Sequence, residues 1–459
     1  MTNVVIIGGG PGGYEAALVA TQLGADVTLI ERDGIGGAAV LTDVVPSKAL
    51  IAVAEAATDT KGSSILGVHA TDVTIDLAEV NSRLKKWAAS QSSDIRQRLL
   101  TQGVKVLVGN AELIDPQHVH VKLQDGTEVN LDAEVVLLAT GARPRELPSA
   151  VIDGHRILNW KQLYEFTELP SDLIVVGSGV TGAEFAGAYQ ALGSQVTLVS
   201  SRDQVLPGED AEAGKVIQDV FADRGMKVIS QSRAVKVTST EVGVAVELST
   251  GDVIKGSHCL MAVGSLPNTE ELGLEKVGVK TNEAGFIDVD KVSRTSIRGI
   301  YAAGDCTGVM MLASVAAMQG RIAMWHALGD AVHPLNLDTV SSNVFTDPEI
   351  ATVGVSQSDV ESGRETANVV NLPLATNARA KMQGISEGFV KIFCRPDTGV
   401  IVGGVVVAPK ASELIFSIAL AVDHRLTIDQ MSQTITVYPS LSGSIAEAAR
   451  QLHQTQNLS

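Results

Sequence analysis

Residues 3–31 read NVVIIGGGPGGYEAALVATQLGADVTLIE, and residues 172–200 read DLIVVGSGVTGAEFAGAYQALGSQVTLVS. Each stretch opens on a short apolar run, passes through a Gly-x-Gly-x-x-Gly turn, and continues through an alanine-rich segment. Each then reaches a glycine and a second apolar run. That order is strand, tight turn, helix, strand, the βαβ unit that holds a dinucleotide. One glycine turn is weak evidence, because such turns occur in unrelated α/β proteins. Two full copies, each with its strand and helix, decide for a fold with two dinucleotide sites. The apolar runs are short and uninterrupted, as expected of parallel strands buried on both faces.

In the first unit Gly8 permits the tight turn, Gly10 lets backbone approach a pyrophosphate, and Gly13 lets the helix pack closely on the strand. The helix start brings N–H groups and partial positive charge to the phosphates. Glu31 ends the second strand and suits the hydroxyls of an unphosphorylated ribose, which favours FAD or NAD over NADP. Gly177, Gly179 and Gly182 take the same roles in the second unit. There the strand ends in Ser200-Ser201-Arg202, with no acid. Hydroxyls and a guanidinium suit a 2′-phosphate, so this site leans to NADPH. NADH, with Arg202 as a solvated loop residue, stays open.

At 459 residues the chain is long enough for two to four domains. Its 44 glycines fit several tight turns. A formal net charge of −17 excludes the cationic footprint that nucleic acid needs and disfavours an anionic membrane surface. Cys259, Cys306 and Cys394 are too few and too scattered for a disulfide framework or a zinc site. A reducing, cytoplasmic setting and no metal are therefore expected. The first strand begins so early that no leader is expected. No run of about 18 apolar residues is found, so no transmembrane helix and no stable membrane insertion are expected.

Along the rest of the chain, residues 70–103 read roughly as helix. A hairpin follows, with its turn at Asp125-Gly126. EVVLLATGARP (134–144), CLMAVGSLPNT (259–269) and GIYAAGDCTGVMMLASVAAMQG (299–320) are strand–loop elements, and Thr250-Gly251-Asp252 is a further turn. From about residue 340 the character changes. FTDPEIATVGVS (345–356), GFVKIFC (388–394) and VIVGGVVVA (400–408) read as antiparallel strands, and helices are expected at 414–424 and 443–456.

These motifs fall in a telling order: an N-terminal GxGxxG, GG followed by PSKAL, ATG, a second GxGxxGxE, GxxPN and AAGD. The order resembles the flavoprotein disulfide reductases across essentially the whole chain, and dihydrolipoamide dehydrogenase most of all. The resemblance implies an α/β architecture with two Rossmann-like dinucleotide-binding domains, for FAD and NAD(P)H, plus a C-terminal α+β dimerisation domain. Residues 1–150 and 273–339 would form the FAD domain, 151–272 the NAD(P)H domain, and 340–459 the interface of a homodimer. By position, Asp305 resembles the carboxylate on the flavin ribityl chain, and Ala313 the residue beside the isoalloxazine. Thr140 and Gly141 would lie near the FAD pyrophosphate, Ala111 near the adenine, and Gly264 near the nicotinamide nucleotide. Lys48 and Glu184 match the pair held beside flavin N5.

The departures are as informative. The family's dithiol sits in GGTCLNVGCIPSK-like sequence, and alignment on GG and PSK puts its cysteines at Ala39 and Val44. The family's His-Pro, with a Glu five residues after the His, becomes VYPSLSGS, so Tyr438 and Gly443 replace the acid–base pair. The nicotinamide-to-flavin half is kept and the flavin-to-disulfide half is erased. This pattern resembles a bacterial branch described as NAD(P)H:quinone reductases. The expected reaction passes hydride from NADPH or NADH to FAD, then two electrons to a small-molecule quinone. Lys48 would stabilise charge at the flavin, Glu184 would hold Lys48, and Tyr438 would donate a proton or simply pack. An FAD-bound pseudoenzyme and a reductase with a protein electron acceptor are the alternatives; a true dihydrolipoamide dehydrogenase is nearly excluded.

Overall fold

In the computed structural model, which describes residues 1–456, the first glycine turn joins strand Asn3–Ile7 to helix Pro11–Gln22, and strand Asp26–Glu31 follows. Val4–Ile7 pair in parallel with Val27–Ile30 on one side and with Val135–Leu138 on the other. All of these residues except the half-buried Thr28 are buried, as a central parallel sheet requires. Ile300–Ala302, far along the chain, pairs beside Val135–Leu138. The first sheet is thus built from two separate segments of sequence. Its other edge continues through Lys105–Asp115 into the hairpin His118–Leu123 and Glu128–Asp132.

The second unit repeats the construction. Strand Asp172–Val176, helix Val180–Leu192 and strand Gln195–Val199 form the centre of a five-stranded parallel sheet with Lys227–Ile229, His258–Met261 and Ile157–Leu158. The close packing depends on one glycine in each unit. A Cβ on Gly13 would lie 1.8 Å from the Gly8 carbonyl oxygen, and a Cβ on Gly182 would lie 1.8 Å from that of Gly177. Short strands Ala142–Pro144 and Ser265–Pro267 pair antiparallel and tie the two sheets' loops together.

The third layer is a five-stranded antiparallel sheet, ordered Ser341–Val344, Glu349–Gly354, Ile401–Ala408, Phe389–Cys394, Asn368–Pro373. One face packs under helices Ala411–Asp423 and Gly443–Gln456, with Ala351, Val390, Ile392 and Val406 in that core. The opposite face sends Ile350, Phe389, Phe393 and Val405 into a core shared with Leu50, Phe185 and Phe221.

Several elements differ from expectation. The stretch read as helical from residue 70 becomes helix at Leu77, where the Asp76 side chain accepts the Glu79 N–H at 2.9 Å. Strand Asn368–Pro373 was not foreseen, nor was the 19-residue helix Val44–Gly62. By length and mean hydropathy, 1.5, residues 37–66 are apolar enough to cross a membrane. This corrects the expectation that no such stretch exists. Lys48, Glu55, Asp59 and Lys61 interrupt the apolar run, so a search for unbroken runs passes over it. Here Leu50, Ile51 and Ala54 are buried in the core shared with Ala183 and Phe185.

Candidate functional site

The site is assembled where the two glycine turns, helix Val44–Gly62 and the third sheet meet. At the first turn a Cβ on Gly10 would touch nothing within 4 Å, so the mouth of helix Pro11–Gln22 is open to a ligand. Glu31 accepts the Gly9 N–H at 2.6 Å and the Asp33 N–H at 2.8 Å. Glu31 also accepts the Gly34 N–H at 3.4 Å, which of a carboxylate's roughly four lone-pair positions leaves about one for a ribose hydroxyl. Ala111 lies in strand Lys105–Asp115, buried beside Val5 and Ile30. Thr140 is clamped by Asn268: the Thr140 hydroxyl donates to the Asn268 carbonyl at 2.7 Å, and the Asn268 amide donates to the Thr140 carbonyl at 3.0 Å. Gly141 (φ +69°) and Gly264 (φ +98°) turn the chain on either side of that clamp, each with open space where a Cβ would be.

Asp305 is half-buried at the short helical turn Asp305–Thr307, and its carboxylate meets no donor among the described residues. Burial, and secondarily the charge of Asp43, push it up to about 6. A desolvated carboxyl without a protein partner is suited to a polyhydroxyl ligand. Ala313 opens helix Ala313–Ala327 close by in sequence, half-buried. Open glycine-turn mouth, free Glu31 acceptor position and unpartnered Asp305 together fit a flavin dinucleotide. Cys306, next in line, is buried and bonds the Ala303 carbonyl at 3.3 Å; burial pushes its thiol up to about 11, so it is inert as a nucleophile.

At the second turn Gly179 faces open space, like Gly10. Ser200 is fully buried, and its hydroxyl is taken up inside the turn by Ser178 Oγ at 2.7 Å and the Arg202 backbone. Its part is therefore to shape the loop. The exposed Ser201 and Arg202 are the groups left facing a ligand at the strand end.

The centre of the site is one ion pair. Lys48 Nζ lies 2.7 Å from Glu184 Oε2, with Lys48 27% and Glu184 3% exposed. Glu184 Oε1 accepts the Phe345 N–H at 2.9 Å, and Lys48 Nζ lies 5.0 Å from the Phe345 ring centroid. Three elements therefore hold one ammonium: the Val44–Gly62 helix, the Val180–Leu192 helix and the loop after strand Ser341–Val344. Ala39 and Val44 are half-buried on the same approach and offer only methyl groups.

Tyr438 is not brought into this cluster within one chain. It is 85% exposed, between Val437 at 78% and the glycine-led helix that starts at Gly443. Ile435 is 98% exposed and Phe416 65%, so this face of the third layer carries uncovered apolar groups.

The sequence reading missed Phe345, Asn268 as a clamp, and Asp43 and Tyr164 near Lys48. Asp43 replaces the glycine that stands before the second cysteine in the family pattern, a visible signal that the alignment carried. Tyr164 is buried near Ser47 and Asp43; nothing in the local sequence marks it.

Comparison with known proteins gives the family. A family model described as pyridine nucleotide-disulphide oxidoreductase matches residues 2–320, and that family's dimerisation domain matches residues 340–449. The chain is 54% identical over 463 residues to NAD(P)H dehydrogenase (quinone) of Mycobacterium tuberculosis, covering 98% of this chain and 94% of that protein. It is 33% identical over 451 residues to dihydrolipoyl dehydrogenase of Zymomonas mobilis, covering 97% of each. The crystal structure of LpdA from Mycobacterium tuberculosis superposes with a TM-score of 0.95 at 54% identity, covering 98% of this chain and 100% of that one.

Proposed function

Because the chain belongs to the pyridine nucleotide-disulphide oxidoreductase family, we propose that it is an FAD-dependent NAD(P)H:quinone oxidoreductase working as a homodimer. The observation that carries this is a contrast. The Lys48–Glu184–Phe345 assembly is intact, whereas Ala39, Val44, Tyr438 and Gly443 occupy the positions of the thiol machinery.

Bound FAD supplies the two-electron chemistry, and the protein supplies orientation and electrostatics. The two glycine turns, at the C-terminal ends of their parallel strands, would hold the flavin and nicotinamide nucleotides. Glu31 and Asp305 would accept hydrogen bonds from hydroxyl groups of the flavin nucleotide, and the clamped Thr140–Asn268 loop would present fixed backbone to the pyrophosphate. Lys48 presents positive charge where negative charge develops, and Glu184, itself fixed by the Phe345 N–H, keeps that ammonium in one place. Ala39 and Val44 give the acceptor an apolar wall, which suits a flat quinone ring. Tyr438 and the uncovered apolar face around Ile435 and Phe416 support a second copy of the chain covering this side, with Tyr438 reaching the acceptor as a neutral hydroxyl donor. Arg202 and Ser201 support NADPH as the better donor.

The test is anaerobic stopped-flow of the yellow holoprotein. NADPH bleaches the flavin band quickly, NADH less quickly, and menadione restores it while lipoamide does not. Reoxidation by lipoamide, or bleaching without reoxidation by menadione, would count against the proposal.

A further inference from the structure

Asp43 stands at the N-cap of helix Val44–Gly62, a little more than one turn before Lys48. An aspartate there ordinarily accepts a hydrogen bond from the first helical turn. This one makes no capping bond. Backbone alone fixes its place: the Asp43 N–H donates to the Ala38 carbonyl at 2.8 Å, and the Asp43 carbonyl accepts from the Ser47 N–H at 2.9 Å. The titratable groups whose charge reaches its carboxyl come from four elements. They are Lys48 on its own helix, Glu184 on helix Val180–Leu192, Lys161 and Tyr164 on the turn Trp160–Glu165, and Asp305. Glu184 already neutralises Lys48 at 2.7 Å, so a charge on Asp43 is in excess. The buried Tyr164 hydroxyl lies near Ser47 and Asp43. Burial pushes the Asp43 carboxyl up; Lys48 opposes the rise and Glu184 adds to it.

We infer that Asp43 is a positioning residue that takes up one proton when negative charge arrives beside Lys48, coupling the redox state of the bound flavin to its own protonation. The inference rests on the flavin reading given above. New negative charge nearby disfavours the ionised carboxylate, so reduction drives proton uptake. The balance is complete. Two electrons and one hydrogen nucleus arrive as hydride from the nicotinamide nucleotide. A second proton comes from solvent and forms the O–H bond on Asp43. On reoxidation the quinone leaves as quinol with both electrons and two protons, and Asp43 returns to the carboxylate.

The experiment is a dye-mediated redox titration of the flavin in the holoprotein across pH, for wild type, Asp43→Asn and Asp43→Gly. Asp43→Gly restores the residue of the family pattern and serves if the asparagine variant does not fold. A tenfold change in proton activity moves a two-electron couple by about 30 mV for each proton taken up. Wild type should fall by about 60 mV per pH unit over a window in which both variants fall by about 30 mV. Infrared difference spectra on reduction should gain a protonated-carboxyl band in wild type only. Equal slopes with no such band would overturn the inference while leaving the flavin reading intact. A purified chain that binds no FAD would overturn both.

Discussion

Glu184→Ala should expose how much the central ion pair contributes. Glu184 is 3% exposed and serves two partners, Lys48 Nζ at 2.7 Å and the Phe345 N–H at 2.9 Å. Truncation leaves the Phe345 N–H unsatisfied, which costs about 1–3 kcal/mol. It also strips an ammonium of its counter-ion, which for a fully buried pair costs about 3–5 kcal/mol. Lys48 is 27% exposed and can reach water, so the second contribution shrinks to about 1 kcal/mol. The expected loss is about 3 kcal/mol. Glu184→Gln keeps an acceptor for Phe345 and gives up only the charge, so it should lose about 1 kcal/mol. Urea unfolding of the three proteins at one pH, followed by tryptophan fluorescence, gives the comparison. A Glu184→Ala protein within about 0.5 kcal/mol of wild type would refute the reasoning. So would a glutamine variant as damaged as the alanine one, because that would mean charge alone holds the junction.

The paired glycines separate the two nucleotide sites: Gly13→Ala should yield a colourless protein without FAD, and Gly182→Ala a yellow one that NADPH no longer bleaches, as absorbance spectra of the two will show. Arg202→Ala should raise the KM for NADPH about tenfold, equivalent to about 1.4 kcal/mol, and leave that for NADH unchanged; equal changes for both would remove the 2′-phosphate role. Asp305 is raised from 3.8 to about 6, so the fold favours its protonated form. In the apoprotein its ionisation is therefore a penalty absent below pH 4 and complete above pH 6. That penalty is at most about 3 kcal/mol, reduced by the water that reaches this half-buried group. Asp305→Asn apoprotein should thus gain stability over wild type between pH 4.5 and pH 7.5 in urea midpoints, and a difference that does not change with pH would contradict the assignment.

Much of the architecture was legible because the glycine turns carry short-range signals. Strand, turn and helix lie within about 30 residues, and the packing that requires Gly13 and Gly182 is local. The helix Val44–Gly62 escaped because its charged residues break the apolar run, although the PSKAL motif at its start was recognised. Lys48 and Glu184 were found through resemblance, 136 positions apart in the chain. Phe345 was not, although it fixes Glu184 across 161 positions, because the interaction uses its backbone N–H and leaves no mark on side-chain identity. Asp43 was visible as a glycine replaced by an acid, but its lack of a capping bond appears only in three dimensions. Ser200 shows the reverse: a residue type that suits a phosphate turns out to be buried in its own turn.

The central claim is that the flavin is the sole redox centre, and an anaerobic titration of the holoprotein with dithionite tests it most directly. The account predicts complete bleaching of the flavin band after two electrons per subunit, with no long-wavelength charge-transfer band on the way. Uptake of four electrons, or a charge-transfer band at the two-electron stage, would mean that a thiol pair takes part and would contradict it.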